Sequence, residues 1–382
     1  MKLGKFVGLV RDNNDNRLFR IKFLDGDIKD MYPDDIKYDM LEGEIHIVNL
    51  DKDLKNTNTS TKTGTPKVTE EYINKILHKA KILSLKIQVI HGYNNEDEEA
   101  NAYIVHKSDT EALFLIPNNI KAIESINQTD RLSYAAFSTL RVIGGFSLET
   151  TVQLFKLSIF DYLDLSEFDT QNVNNMKYMF YLSRIRNVNL NNLVVNNVTD
   201  MSHMFDTAII NEIIIHNWDV TNIKDVKLMF NKCCSDKVTL AAMNFRQLTS
   251  FEDMFYMCNI QDIKFIGVNT LNIEYMGYMF YDAKIGTLDL GKFKTDNAEI
   301  LHCMFGNCTI EKLDLRSFNI DNAIGLAAMF SKCNIGELDL RSFKLNKLAD
   351  CTDIFLNSHI RKLLVYDDRL NYLYNEANEG MG

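Results

Sequence analysis

Proline is scarce in this 382-residue chain, with only three copies, and long unbroken apolar runs are missing. No stretch approaches the length of a membrane-spanning helix. The opening "MKLGKFVGLVRDNNDN" has no apolar centre of signal-peptide length, since Lys5 and Arg11 bracket only a short run. The expectation from this is a protein that stays where it is made, in the cytoplasm, or in the particle if the chain is viral. Excess positive charge is also lacking. The formal charge of -10 argues against nucleic acid or an anionic membrane as the main ligand, because both need a dense cationic surface. Cysteine occurs seven times, an odd number without a pairing rhythm, which suits a reducing compartment.

Catalytic signatures are equally thin. The eight histidines, at 46, 78, 91, 106, 203, 216, 302 and 359, are scattered, and none forms a metal-binding helix spacing. There is no glycine-rich phosphate loop and no nucleophile elbow. A non-enzymatic protein without metal or cofactor is the expectation. What is present is the composition of a folded chain, 46% hydrophobic and 25% charged.

The dominant feature is a period. Phe155 is followed by Phe180, Phe205, Phe230, Phe255, Phe280, Phe305, Phe330 and Phe355, always at a step of 25. Other columns keep the same time. Leu163, Val188, Ile213, Val238, Ile263, Leu288, Leu313, Leu338 and Leu363 form one, and the apolar residues two positions later form another. An i, i+2 pair places both columns on one face of a short strand. Further along each unit, Val173, Met176, Met179 and Phe180 fall at i, i+3, i+6 and i+7, a helical stripe. Asn172, Asn197, Asn222, Gln247, Asn272, Asn297, Asn322 and Lys347 precede that stripe and suit a helix N-cap.

Each unit therefore reads as strand, bend, capped short helix and return. No single unit can bury both stripes, so neighbours must stack around one long core. Stacked strands lie roughly 4.8 Å apart and packed helices roughly 8–10 Å, so such a stack curves with its strands inside. The fold class expected is an α/β leucine-rich-repeat solenoid of about nine 25-residue coils with a concave parallel sheet. The Met-Phe pair is its buried foot.

The strings "LDLSEFDTQNVNNMKYMF", "NVTDMSHMF" and "LDLRSFNIDNAIGLAAMFSKC" resemble BspA-like leucine-rich repeats, a class found in mycoplasma surface lipoproteins, protists and giant viruses. The resemblance covers about 150–365 and implies a binding surface rather than an enzyme. Coils 238–262 and 263–287 depart from its pattern, with "VTLAAMNF" and "IKFIGVNT" replacing the usual opening, and are expected to make a specific contact or change the curvature.

Five segments are expected: a small β-barrel over 1–52, a flexible linker over 53–67, an α+β segment capping the solenoid over 68–137, the solenoid over 138–366, and a C-terminal cap and tail over 367–382 with Tyr372 and Tyr374 as lids. The string "GKFVGLVRDNNDNRLFRIKFLDGDIKDMYPDDI" is similar to Tudor-like or SH3-like barrels. That likeness implies an aromatic cage for a methylated side chain on a modified peptide, with Phe6, Phe23 and Tyr32 as candidates; the residues themselves suit the barrel core better than a cage.

Cys233, Cys258, Cys308 and Cys333 share one column with Ser183, Ala208, Ala283 and Ser358, so the column asks for a small residue in a tight turn. A stacked pair such as Cys308 and Cys333 would be close enough for a disulfide or shared metal, but no further ligand completes a tetrahedral set. On the outward strand positions, Ile214 and Ile266 stand on an otherwise polar sheet, and exposed apolar side chains of this kind mark contacts. With His216, Lys264, Asp289, Asp314, Arg316, Asp339 and Arg341 they make up the candidate concave binding face. The charges among them equally suit a solvated, self-paired surface. The functional reading is a protein-protein interaction scaffold; the alternatives are a structural component of a virus particle or other large assembly, and a surface adhesin.

Overall fold

The computed structural model describes the backbone of residues 4–11, 17–23, 28–31, 38–41, 44–47, 70–94, 96–108, 110–123, 138–346 and 348–379, and within these ranges the side chains from residue 71 onward. Near the N-terminus, strands β1 (Gly4–Arg11), β2 (Arg17–Phe23) and β3 (Ile28–Met31) form an antiparallel sheet in that order. Strands β4 (Tyr38–Leu41) and β5 (Glu44–Ile47) pair as a hairpin. Phe6 sits on β1 opposite Ile21 of β2, and Phe23 opposite Gly4. Their side chains, Tyr32 and the expected linker lie outside the described residues.

Helix α1 (Glu70–Ile82) is followed by β6 (Ile87–Tyr93), β7 (Glu99–His106), β8 (Glu111–Ile116), β9 (Ala122–Ile123) and β10 (Thr139–Gly144). Strand β7 runs antiparallel to both β6 and β8, and β8 then pairs parallel with β10. Alternation along these strands serves two cores. Ala102, Ile104, Ala112, Phe114, Leu140 and Val142 join the long core. Val105, Leu113, Leu115 and Ile143 point the other way, against Ile73, Ile76 and Ala80 of α1. Thus α1 covers the outer sheet face at this end. Gly144, at φ +99°, closes β10 where a Cβ would lie 2.1 Å from the Ile116 carbonyl oxygen, so only glycine fits.

From β10 the sheet continues in parallel through β11 (Ile159–Phe168), β12 (Arg184–Val188), β13 (Ile209–Ile210), β14 (Glu212–His216), β15 (Cys234–Ala241), β16 (Asn259–Ile266), β17 (Lys284–Asp289), β18 (Thr309–Asp314), β19 (Asn334–Asp339) and β20 (His359–Leu364). The result is a parallel β-solenoid of about ten turns at a spacing of about 25 residues. Leu163, Ile213, Val238, Ile263, Leu313 and Leu338 are fully buried beneath it, as the two-residue spacing requires. All nine phenylalanines of the foot column stack, each on the next, with ring centroids 4.7–5.8 Å apart. Their regularity serves packing.

The capped helix in each coil is corrected by the structure. Val173, Met176, Met179 and Phe180 are buried, but they lie on consecutive turns. The amides of Met176, Tyr178, Phe180 and Leu182 donate to the carbonyls of Asp200, Ser202, Met204 and Asp206 in the next coil, at 2.9–3.2 Å. Between them, Met179, Tyr181 and Ser183 donate three residues back, at 3.0–3.2 Å. A helix satisfies its amides internally; here every second amide is sent to a neighbour, so the conformation exists only in the stack. It also requires left-handed backbone at two positions per coil, at φ 56° for Tyr178 and 57° for Leu182. The pair recurs at His203 and Thr207, Leu228 and Lys232, and on to Asp353 and Asn357.

This backbone also removes the expected cause of curvature. Both sides of a coil are hydrogen-bonded to the next, and the wide spacing of packed helices is not imposed on either. The asparagine column is likewise corrected. Its amides run between coils: Asn172 Nδ2 donates to the Phe146 carbonyl, Asn197 to Gln171, Asn222 to Asn196, Asn272 to Arg246, Asn297 to Leu271 and Asn322 to Asp296, at 2.6–2.9 Å.

At the far end, helix α2 (Asp368–Asn378) closes the core. Asp367 caps it by accepting from the Leu370 amide. Leu370 is buried, and Tyr374 meets Phe355 edge-on at 5.4 Å while its hydroxyl donates to the Ile360 carbonyl at 3.0 Å. Tyr374 is thus a lid; Tyr372 is exposed and is not.

Candidate interaction face

Among the described residues nothing outside the sheet covers its outer face beyond the part under α1, and the parallel register sets its side chains in columns. Ile214, Thr239, Lys264 and Asp289 are successive cross-strand neighbours. Two residues along, His216, Ala241 and Ile266 are neighbours in the same way. Asp314 and Asp339 pair farther down the first column, and the 25-residue step places Arg316 and Arg341 in the second. The nine residues singled out in the sequence therefore fill two adjacent columns, but they separate into two chemistries.

The C-terminal group is closed on itself. Arg316 Nη2 lies 2.6 Å from Asp314 Oδ2, its Nε 3.4 Å from Asp339 Oδ2, and Arg341 Nη2 2.7 Å from Asp339 Oδ2. Hydrogen bonding from Arg316 holds the Asp314 carboxyl below the usual carboxylate range, and Arg341 does the same for Asp339. Beside them Glu337 is shared by Lys362 at 2.9 Å and Lys312 at 3.7 Å. Glu311 and Arg361 pair across two coils, over Gly336. Asp289 lies just before this network and accepts from the Gly291 amide at 2.9 Å.

The central group differs. On β15 the outward residues are small, and Thr239 and Ala241 are only 7% and 4% exposed. Ala241 is absent from the long apolar core that holds Val238 and Leu240, so it is covered from the outer side. The rows beside it in the register are Ile214 and His216 on β14 and Lys264 and Ile266 on β16. Ile214 remains 37% exposed and Ile266 51%. A narrow trough results, about two strand spacings from wall to wall, or about 10 Å. Lys264 is tied to Asp262 at 2.7 Å, and the Thr239 hydroxyl oxygen at the floor has no hydrogen-bond partner. The coil-238 departure "VTLAAMNF" is what supplies the low floor.

Three apolar side chains outside the candidate set share this face. Ile159, Tyr162 and Ile209 are exposed, and Arg184 sits between Ile159 and Ile209 in one cross-strand column. For Ile159 and Ile209 the signal was available in their shared 25-residue column, but that column lies at the strand entrance, ahead of the i, i+2 pair that marks the strand.

The cysteine column is buried in the turns. All seven cysteines are free, and Cys233, Cys258, Cys308 and Cys333 are buried. Burial pushes the Cys333 thiol up to about 12 and raises the other three as well, so a reactive thiolate is disfavoured.

Residues 149–266 and again 259–363 match the family described as Mycoplasma protein of unknown function, DUF285. The chain belongs to this family. The two DUF285 segments together span more than half of it and overlap at 259–266, which is strand β16, the wall bearing Lys264 and Ile266. The DUF285 match begins downstream of the N-terminal strands and lends no support to a Tudor-like reading of residues 1–52. Neither curated proteins nor solved structures give a match.

Proposed function

We propose that this DUF285 solenoid is a non-enzymatic protein-interaction scaffold whose contact surface is the outer sheet face, centred on the β14–β16 trough. One observation carries the reading: two exposed isoleucines, Ile214 and Ile266, stand in the rows on either side of the buried small residues Thr239 and Ala241 on the outer sheet face. An apolar step of this kind accepts an apolar side chain from a partner and gains roughly 25 cal/mol per Å² covered. The BspA-like character of the repeats favours the same class of role. A rigid hydrogen-bonded backbone lowers the ordering cost of association. Localisation in the cytoplasm goes with this proposal.

The test is affinity purification of the tagged protein from its source beside an Ile214→Glu, Ile266→Glu variant. Partners held by the first and lost by the second support the proposal. Equal recovery by both refutes the trough as the contact, and recovery of chiefly shell proteins turns the reading toward a particle component. Because both isoleucines are partly exposed, the variant should unfold within about 0.5 kcal/mol of the parent for each change.

A further inference from the structure

The face opposite the sheet, built by the turns, carries a second feature. An open hollow of about 320 Å³ is lined by Leu228, Asp253, Tyr256 and Tyr278. Its aromatic wall is constructed. Tyr256 stacks on Tyr281 at 5.5 Å, Tyr278 meets Tyr281 edge-on at 5.5 Å, and His302 meets Tyr278 at 4.9 Å. Two glycines seat the rings. A Cβ on Gly277 would lie 2.8 Å from the His302 ring, and one on Gly306 would lie 2.9 Å from that of Tyr281.

The charge around the wall is one-sided. Glu252, Asp253 and Asp282 supply three carboxylates, and the Lys227 ammonium lies 3.4 Å from Glu252 and 3.3 Å from Asp253. Asp282 in turn accepts from Asn307 Nδ2 at 2.7 Å. Burial raises the Asp253 carboxyl from its ordinary value, against the hydrogen bond from Lys227 that lowers it. Aromatic faces attract cations through the ring quadrupole, and Lys227 shows that the rim accommodates an alkylammonium.

We propose that this hollow binds an alkylammonium group, held on the rings of Tyr256 and Tyr278 with Asp253 as its counter-charge. It is independent of the trough, on the other side of the coil. The chemistry is common to a lysine side chain of a partner and to a choline head group, and two probes separate them.

The experiment is a ¹⁹F NMR titration of the full chain labelled with 3-fluorotyrosine, with Tyr256→Phe and Tyr278→Phe used to assign the signals. The probes are choline, its neutral isostere 3,3-dimethylbutan-1-ol, and Nα-acetyl-lysine amide. Saturable shifts at Tyr256 and Tyr278 with choline or the lysine amide, but not with the isostere, support the proposal, and the tighter of the two names the source. Asp253→Asn keeps a residue suited to left-handed backbone and should weaken binding about 5- to 30-fold. Lys227→Met removes the resident cation and should tighten binding, a gain that a merely structural role does not produce. Equal binding of the isostere, no saturable shift, or affinity unmoved by both substitutions overturns the proposal.

Discussion

Phe230 and Phe255 stack with ring centroids 4.7 Å apart and planes 7° from parallel, the tightest step of the phenylalanine column. Phe255 also receives the edge of Phe265 at 5.9 Å, so it joins the foot of one coil to the strand side of the same core. Phe255→Ala should therefore cost about 3–5 kcal/mol, with Phe255→Leu markedly milder. Urea unfolding of the two variants checks this. A loss below about 1 kcal/mol for the alanine would mean that the stack does not hold neighbouring coils together.

The left-handed turn positions should select residues by backbone and not by packing. Lys332 has φ 57° and an exposed side chain. Lys332→Asn should be neutral or stabilising, whereas Lys332→Ile should cost about 1–2 kcal/mol, because a β-branched residue is a genuine outlier there. Thermal unfolding of both variants compares them directly, and equal stabilities would contradict the turn-stack backbone.

Gly336 makes room for a bridge. A Cβ at this position would lie 2.3 Å from the Glu311 carbonyl oxygen and 2.5 Å from Arg361 Nη2. Gly336→Ala should destabilise by about 1–3 kcal/mol as backbone and ion pair are pushed apart. Glu311→Gln alone should be within about 1 kcal/mol of the parent, since that pair is solvent-exposed. Similar losses for the two would assign the effect to the ion pair and not to the close approach of the strands.

Acid should loosen the C-terminal coils first. Asp339 is held below its ordinary 3.8 by hydrogen bonds from Arg341, as Asp314 is by Arg316. A carboxyl whose folded value is lowered stabilises the fold fully above its unfolded value, and that contribution disappears as pH falls through the folded one. Stability should thus decline below about pH 4, with Asp339→Asn flattening that slope. Hydrogen exchange over β18–β20 between pH 5 and pH 3 would test it; an unchanged slope in the variant would place the acid sensitivity elsewhere.

The period of 25, the parallel stack and the inward columns were legible in the sequence because burial repeats wherever geometry repeats. Phe180 and Leu163 announce their place by recurrence alone. The backbone between Val173 and Ser183 was not legible in the same way. A stripe at i, i+3, i+6 and i+7 fits one helical face and fits a row of turns equally well, and the choice depends on where every second amide finds its acceptor. That acceptor is a carbonyl 24 residues away, such as Asp200 for Met176. Asn297 misled for a related reason, since its side chain is as suited to a carbonyl of the preceding coil as to its own first turn.

For the proposed contact face, the sequence by itself determined which side chains point outward, and it singled out Ile214 and Ile266 by polarity contrast. Only the tertiary structure decided that Asp314, Arg316, Asp339 and Arg341 neutralise one another: each arginine folds back on the aspartate of its own strand, and Arg316 also reaches Asp339 of the next coil. It alone also placed Tyr256, Tyr278 and Asp253 around one hollow. Strand alternation fixes a residue's side of the sheet locally, but which residues become neighbours is settled when coils stack in register and bury their shared core.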